Sequence, residues 1–531
     1  MKFLQKIFET NNFHLNREKL TITHHAVFWF IVVLTVFIKI YLIPFNMMDM
    51  GDNATRVWNA LWWSKSPFFV MPESGHPFWF YFMGSIIKIT GEIYYTSIIT
   101  MIILMTAASI FIFRITLLMS DFKTALLAFF IVTLNPVIFR LNFQPTAQQI
   151  YLTASCILMY FLLKALFTDL PAETSAQAGK SSIHFIIAGV FGFIALATRP
   201  EALFVIAPLA IVAALSKKQG KWYFVIISLI FQVFWIILSY IKYGSFFRTL
   251  QAADQYTAPV DIQGLNLELR LKGFFLPYYF LVVGLTIILF YYFVKGIIYS
   301  FKTYPKSILI TLLIMMLTPA LINGAAGMKS TIYHTTIYIY LMFFISPIFC
   351  AIGLNNDIIK IKHKYLQIAL ATVIILSCIP LSYIKEFVPE KYNKLFPKVI
   401  QFIVTTDEPE ETRKLIKFVD ENINSYPALL FDSDENTSSI FYVPFRTKLA
   451  PPEKILISSY NVPADKEGLK LEIDKFMKKN TNGIIMIRKS PTVMNQIFSE
   501  LINNKPYKRN DIILALETEK WNIYTYQRNN K

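Results

Sequence analysis

The hydrophobic positions of this chain fall into long unbroken runs rather than the alternating or helical-face patterns of soluble elements. Apolar runs lie near 26–44, 94–117, 124–141, 149–168, 183–198, 201–216, 222–242, 273–295, 307–322, 331–354 and 366–385. Each comes close to the roughly 20 residues that carry an α-helix across a bilayer, so about eleven spans are expected, 183–198 being among the shortest. The stretch PFWFYFMGSIIKITG at 77–91 is apolar but short and aromatic at its start, which places it in the interface. Residues 52–63 can form a helix, with Asp52 as a possible N-cap.

Beyond about residue 400 the pattern changes. EETRKLIKFVDENI leads into ALLFD, KLEIDKFMKK leads into GIIMIR, and a polar helical stretch precedes DIILAL and WNIYTYQ. Alternating helices and strands over roughly 130 residues predict a small α/β domain with its own core. The expected class is mainly α: a polytopic transmembrane domain, 1–399, followed by an extracytoplasmic α/β domain, 400–531.

Composition narrows the class. Hydrophobic residues make up 55% of the 531 and charged ones 16%, against about 25% charged in soluble domains. That excludes disorder and an ordinary soluble enzyme. Cys156, Cys350 and Cys378 all lie in apolar runs, so neither a disulfide framework nor a cysteine zinc site is expected. Residues 1–385 hold 29 Lys/Arg against 14 Asp/Glu, and residues 386–531 hold 22 against 20. The basic excess therefore belongs to the membrane part, and the balanced tail offers no patch for nucleic acid.

The N-terminus holds Lys2, Lys6, Arg17 and Lys19, and no A-x-A cleavage site follows the first run, so an uncleaved first helix with a cytoplasmic N-terminus is expected. Alternation then puts Lys217, Lys218, Lys221, Lys295, Lys302, Lys306, Lys360, Lys362 and Lys364 inside with one acid, Asp357. Loops 45–93, 142–148, 243–272 and 323–330, and the tail, fall outside. This lysine bias matches the positive-inside rule. Lys39, Arg114 and Lys164 lie toward span ends, where long side chains snorkel.

The first outside loop is the richest in chemistry. It carries Asp49, Asp52, Arg56, Glu73 and His76, with four tryptophans between 58 and 79. Taken alone, it also fits an amphipathic interface helix with solvated charges. The order GDNATR at 51–56, directly after the first span, then GHPFWFYF at 75–82, resembles the C-type (GT-C) glycosyltransferases. NFQPTAQQIYL at 142–152 and ATRPEALFVIAPLAI at 197–211 agree with that resemblance. Those polytopic enzymes, which include protein O-mannosyltransferases and aminoarabinose transferases, take sugars from polyprenyl-phosphate carriers.

The resemblance implies a membrane glycosyltransferase that moves a hexosyl or pentosyl group to an extracytoplasmic lipid, glycan or protein acceptor. Its partners would be a polyprenyl-phosphate-linked sugar donor, membrane lipid and that acceptor. Asp52 takes the family's general-base position, and Asp49 is its rival; simple N-capping is the alternative for Asp52. Arg56, Arg199, Lys329 and His334 are candidates for the phosphate, with His76 and Glu201 beside them. Each has a plainer alternative: a snorkelling Arg199 paired with Glu201, an interfacial Lys329, a satisfied His76. The second loop carries Gln144, Gln148 and Gln149 where many relatives keep an acid. A metal-assisted mechanism is therefore disfavoured, and no metal or cofactor is expected.

Asp432-Ser433-Asp434 mimics a DxD motif but follows a strand without a glycine-rich phosphate loop, so a turn is expected there. Asn53-Ala54-Thr55 and Asn436-Thr437-Ser438 match the glycosylation sequon, which matters only in a eukaryotic secretory route. A lipid-linked-sugar flippase and a non-catalytic envelope assembly protein remain the competing functions. A flippase should show repeats, broken helices or midplane charges.

Overall fold

A computed structural model describes residues 20–43, 52–67, 69, 77–167, 175–216, 218–246, 267–327, 340–361, 363–376, 410–432, 454–457, 466–489, 492–503 and 512–527. The first span is α1 (Ile22–Tyr41). Two helices of the first loop follow, α2 (Asp52–Lys65) and α3 (Pro77–Thr90). Then come α4 (Tyr94–Met119), α5 (Phe122–Leu134), the short α6 (Pro136–Leu141), α7 (Ala147–Phe167), α8 (Ser175–Thr198) and α9 (Leu203–Leu215). The helical part continues with α10 (Lys221–Tyr243), α11 (Leu267–Thr303), α12 (Lys306–Gly327), α13 (Tyr340–Ile358) and α14 (Lys364–Leu376).

Each of the eleven expected runs thus meets a helix. Seven of the helices are long and apolar enough to cross a membrane: α1, α4, α7, α8, α10, α13 and the 284–303 part of α11. Among the described residues α5, α9 and the 306–322 part of α12 are apolar but shorter. The outer face of α10 leaves Trp222, Ile226, Ile230, Val233, Ile237 and Ile241 exposed, an apolar stripe suited to lipid. The 77–91 stretch is helical, and α3 packs closely on α2.

Helix packing uses small residues where backbones cross. A methyl group at Gly296 of α11 would collide with the Phe349 carbonyl, and one at Gly353 of α13 with the Tyr292 carbonyl. Without a hydrophobic drive between helices in lipid, such close approach supplies the attraction. Halfway along, α11 breaks at Thr286, where φ is 66° and ψ 156°. The nearby Gly284 carbonyl accepts a hydrogen bond from Asn135 Nδ2 at 2.8 Å.

One end of the bundle gathers the residues that alternation assigns to the inside. Asp357 pairs with Lys295 and, at 3.5 Å, with Lys360. Asn355 donates to Thr124 Oγ1 at 2.7 Å and Asp121 Oδ2 at 3.4 Å. Tyr304, between α11 and α12, is mostly buried, and that burial pushes its phenol up to about 12 despite a hydrogen bond with Ser120. Lys39 is not a snorkelling residue: it is 2% exposed and, among the described residues, has no hydrogen bond or ion pair. The face it shares with Val36 and Ile43 turns inward, toward a core that includes α2 and α3.

The tail comprises α15 (Glu410–Asn422), β1 (Ala428–Phe431), β2 (Ile455–Ile457), α16 (Lys466–Lys479), β3 (Asn482–Arg488), α17 (Val493–Asn503), β4 (Ile512–Glu517) and β5 (Trp521–Gln527). The sheet order is β2-β1-β3-β5-β4, with β1 parallel to β2 and β3, and β5 antiparallel to β3 and β4. Only the three-residue β2 escapes the sequence pattern. Side chains alternate strictly. Leu430, Ile485 and Ile487 face α16 and α17, whereas Leu429, Phe431, Ile484 and Met486 face the other way. That second face joins one continuous apolar cluster with α15 and with Val57, Trp58 and Trp79 of α2 and α3. Asp432 follows β1 directly, and Ser433 and Asp434 of the expected turn lie outside the described residues. Asp432 is 1% exposed and accepts from Arg488 N–H at 3.1 Å and Thr492 Oγ1 at 2.6 Å.

Candidate functional site

The end of the bundle opposite Asp357 holds the second loop, the Arg-Pro-Glu step and the end of α12. In the loop, Thr146-Ala147-Gln148-Gln149 forms a capping box. Gln149 Oε1 accepts from Thr146 N–H at 3.1 Å and Thr146 Oγ1 at 2.7 Å, while Thr146 Oγ1 lies 3.3 Å from the Gln148 N–H. Gln149 Nε2 donates to the Leu141 carbonyl at 2.7 Å and to that of Gln144. Asn142 Nδ2 ties the loop back to the Phe139 carbonyl at 2.8 Å. Gln149 is thus consumed by the helix start. Gln148 is not: it is 5% exposed, and among the described residues its Oε1 is buried without a hydrogen-bond partner.

Pro200 has no N–H to continue α8, so the chain turns there and Arg199 stands at the helix end. Its guanidinium grips Glu201 with two prongs, Nε to Oε2 at 3.2 Å and Nη2 to Oε1 at 3.3 Å. The Arg199 side chain is 5% exposed and that of Glu201 27%. A buried arginine held this way is not a snorkelling one.

These residues line one small pocket. Gln148, Tyr151, Arg199 and Glu201 form its polar wall; Phe204 of α9 and Pro319 and Ile322 of α12 form the apolar one. Next to this wall, Phe143, Ala147 and Ile150 belong to the same apolar cluster as Val57 and Trp58 of α2. Asp52 is the first residue of α2. Arg56, half-buried on the same helix, offers its carbonyl to Trp79 Nε1 at 3.2 Å. The Asp52 side chain and Asp49, Glu73, His76, Lys329 and His334 lie outside the described residues. Of the sequence candidates, the structure therefore unites Arg199 and Glu201, and adds Gln148 and Tyr151. The T-x-x-Q box was the sequence signal that could have separated spare Gln148 from structural Gln149.

Among solved structures, the chain is similar to ArnT from Cupriavidus metallidurans bound to undecaprenyl phosphate. The TM-score is 0.59 and the identity 10%, over 95% of this chain and 98% of that one. The apo form of the same protein gives 0.57 and 10%, over 94% and 98%. The Archaeoglobus fulgidus oligosaccharyltransferase in its apo form gives 0.49 and 13%, over 92% and 72%. No protein-family model and no curated protein matches the sequence. At such identity the likeness is one of fold: the chain has the polytopic ArnT-type architecture, as the motif resemblance implied.

Proposed function

We propose that this chain is a membrane glycosyltransferase that moves a sugar from a polyprenyl-phosphate carrier to an extracytoplasmic acceptor by inverting displacement. The observation that carries this reading is the cavity holding the Arg199–Glu201 pair, set beside the α2 end of the bundle in an ArnT-type fold. That the ArnT crystal holds undecaprenyl phosphate supports the choice of donor. In the reaction an acceptor hydroxyl attacks the anomeric carbon and the bond to the carrier phosphate breaks. The Asp52 carboxylate takes the hydroxyl proton, with Asp49 the alternative base. The departing phosphate, already a good leaving group, is held by cations drawn from Arg56, Arg199, Lys329 and His334, with His76 a further candidate. No metal or cofactor is invoked.

The test is turnover of undecaprenyl-phosphate-linked sugars by the purified protein in nanodiscs. Asp52→Asn keeps the shape but removes the base, so the rate should fall about 10²–10⁴-fold with donor binding largely intact. Arg199→Lys keeps the charge but loses the two-pronged grip, and should weaken donor binding as well as rate. Full activity of Asp52→Asn with Asp49 intact would move the base to Asp49; full activity of both single variants and the double one would end the proposal. A second reading, translocation of a lipid-linked sugar, draws on the broken helix at Thr286. Movement of the lipid across vesicles without sugar transfer would favour it.

A further inference from the structure

The break in α11 separates two pieces with different neighbours. The part from 284 to 303 is long and apolar enough to cross a membrane. The stretch before it, 267–283, packs on the end of α12, where a methyl group at Gly324 would lie 2.8 Å from the Phe274 carbonyl. At the join, Thr286 at φ 66° and ψ 156° occupies a region that essentially only glycine visits. Such backbone persists only where its surroundings over-determine it, and it gathers at sites whose geometry is held for a purpose. Here the surroundings are specific. Gly284 is seated between α13 and α6: a methyl group there would collide with the Phe343 ring and lie 3.1 Å from Val137. Its carbonyl takes the hydrogen bond from Asn135 Nδ2, a residue 149 positions earlier in the chain. The oxygen of the same amide opens α6, accepting from Val137 N–H at 3.0 Å and Ile138 N–H at 3.3 Å. α6 in turn carries the second loop. Asn142 Nδ2 donates to the Ile138 carbonyl at 3.0 Å, and Gln149 Nε2 to that of Leu141 at 2.7 Å. Cap, helix and loop thus form one hydrogen-bonded unit that runs into the first turn of α7. Gln148 and Tyr151 of that turn line the pocket beside Arg199, and Pro319 and Ile322 of α12 line its other side. The Asn135–Gly284 hydrogen bond therefore links the elements that carry both sides.

We infer that Asn135 is a positioning residue for the transfer: by holding Gly284 while it caps α6, it sets the spacing between the α7 and α12 sides of Arg199. The inference rests on the proposed role of Arg199 at the carrier phosphate. Asn135 is 0% exposed and acts through these elements rather than on the substrate. A cap alone needs only a side-chain oxygen, and serine, threonine or aspartate supplies one as well as asparagine does. Asp121 does so at the start of α5. What asparagine adds at 135 is the donor that reaches α11.

The experiment separates the two tasks of Asn135. Asn135→Ser keeps a capping oxygen and removes the donor to Gly284; Asn135→Thr does the same and serves if the serine variant does not fold. Hydrogen–deuterium exchange of the full-length protein in nanodiscs should rise over 138–149 and 274–284 together, by about ten-fold for one lost hydrogen bond, and stay unchanged over 287–303. Turnover is measured on undecaprenyl phosphate carrying glucose, mannose or an aminopentose, well below the melting temperature. On whichever of these lipids the wild type uses, kcat should fall roughly 10–100-fold with KM within about three-fold, because misalignment is felt at the transition state. A residue that only stabilises the fold would lower the melting temperature and leave kcat unchanged. That result, or exchange that rises over 138–149 alone, would overturn the inference. Wild-type protein that turns over none of the three lipids would instead bring down the proposed function, and the exchange data would still show or refute the link between α6 and α11.

Discussion

At the scale of single residues, Lys39 is the side chain whose environment least suits it. At 2% exposure and with no counter-charge among the described residues, Lys39 sits in surroundings that disfavour a charge. Lys39→Met preserves length and removes the charge. It should therefore raise the melting temperature of the purified protein, by an amount equivalent to about 1 kcal/mol or more. A lowered melting temperature, or loss of undecaprenyl phosphate binding, would show that an anion meets the ammonium. The sequence placed Lys39 near a span end but could not say which way it points, because orientation depends on the helices that α2 and α3 bring against it. Arg199 was more legible. Pro200 fixes the turn, and a carboxylate two residues on lies within reach of the guanidinium. Gln148 and Gln149 are the same residue type side by side, and only the hydrogen bonds around Thr146 tell them apart.

At the scale of elements, the hydrophobic runs located the spans because a helix in lipid must be apolar along its whole length. The tail strands were legible for a different reason: β1 and β3 are short apolar runs that follow charged helices, and β4 and β5 are apolar runs after a more polar helical stretch. The kink in α11 was invisible. No proline or glycine occupies position 286, and a β-branched residue at positive φ is strongly disfavoured. The strain is sustained by packing around Gly284, whose carbonyl is taken by Asn135. Among the described residues the Thr286 hydroxyl is itself buried without a partner. Thr286→Gly should relieve strain on the order of 1–3 kcal/mol, less a glycine's added chain entropy of about 0.5–1 kcal/mol. A rise in melting temperature is the expected result. A fall would mean that the threonine methyl contributes more packing than the backbone loses in strain.

At the scale of the whole molecule, the two ends of the bundle sort as alternating spans require. Asp121, Tyr304, Asn355 and Asp357 gather at one end, and the loop before α7, the Arg-Pro-Glu step and the end of α12 at the other. The tail sheet and α2 share one cluster, and the lysine bias predicts that side to be the outer one. Alkaline phosphatase fused after residue 400 should then be active, and a fusion at Lys218 inactive. The reverse pattern would invert the topology and take the proposed donor side with it. Asp432, locked between Arg488 and Thr492, is spent on holding the sheet together.

The apolar face of the tail sheet has a consequence for cooperativity. Phe431, Ile484 and Met486 belong to the same cluster as Val57 and Trp58, so the sheet and the first-loop helices are halves of one folding unit. The first-loop helices also pack on α4 and the sheet on α15, and the cluster runs on between them. Calorimetry of the intact protein should then show the tail and the α2–α3 region melting in a single transition, and two separate transitions would contradict the shared core. A fragment starting at 410 would expose that face and aggregate. The heat tolerance of the helix that begins at Asp52 is thereby set by a domain more than 350 residues further along the chain.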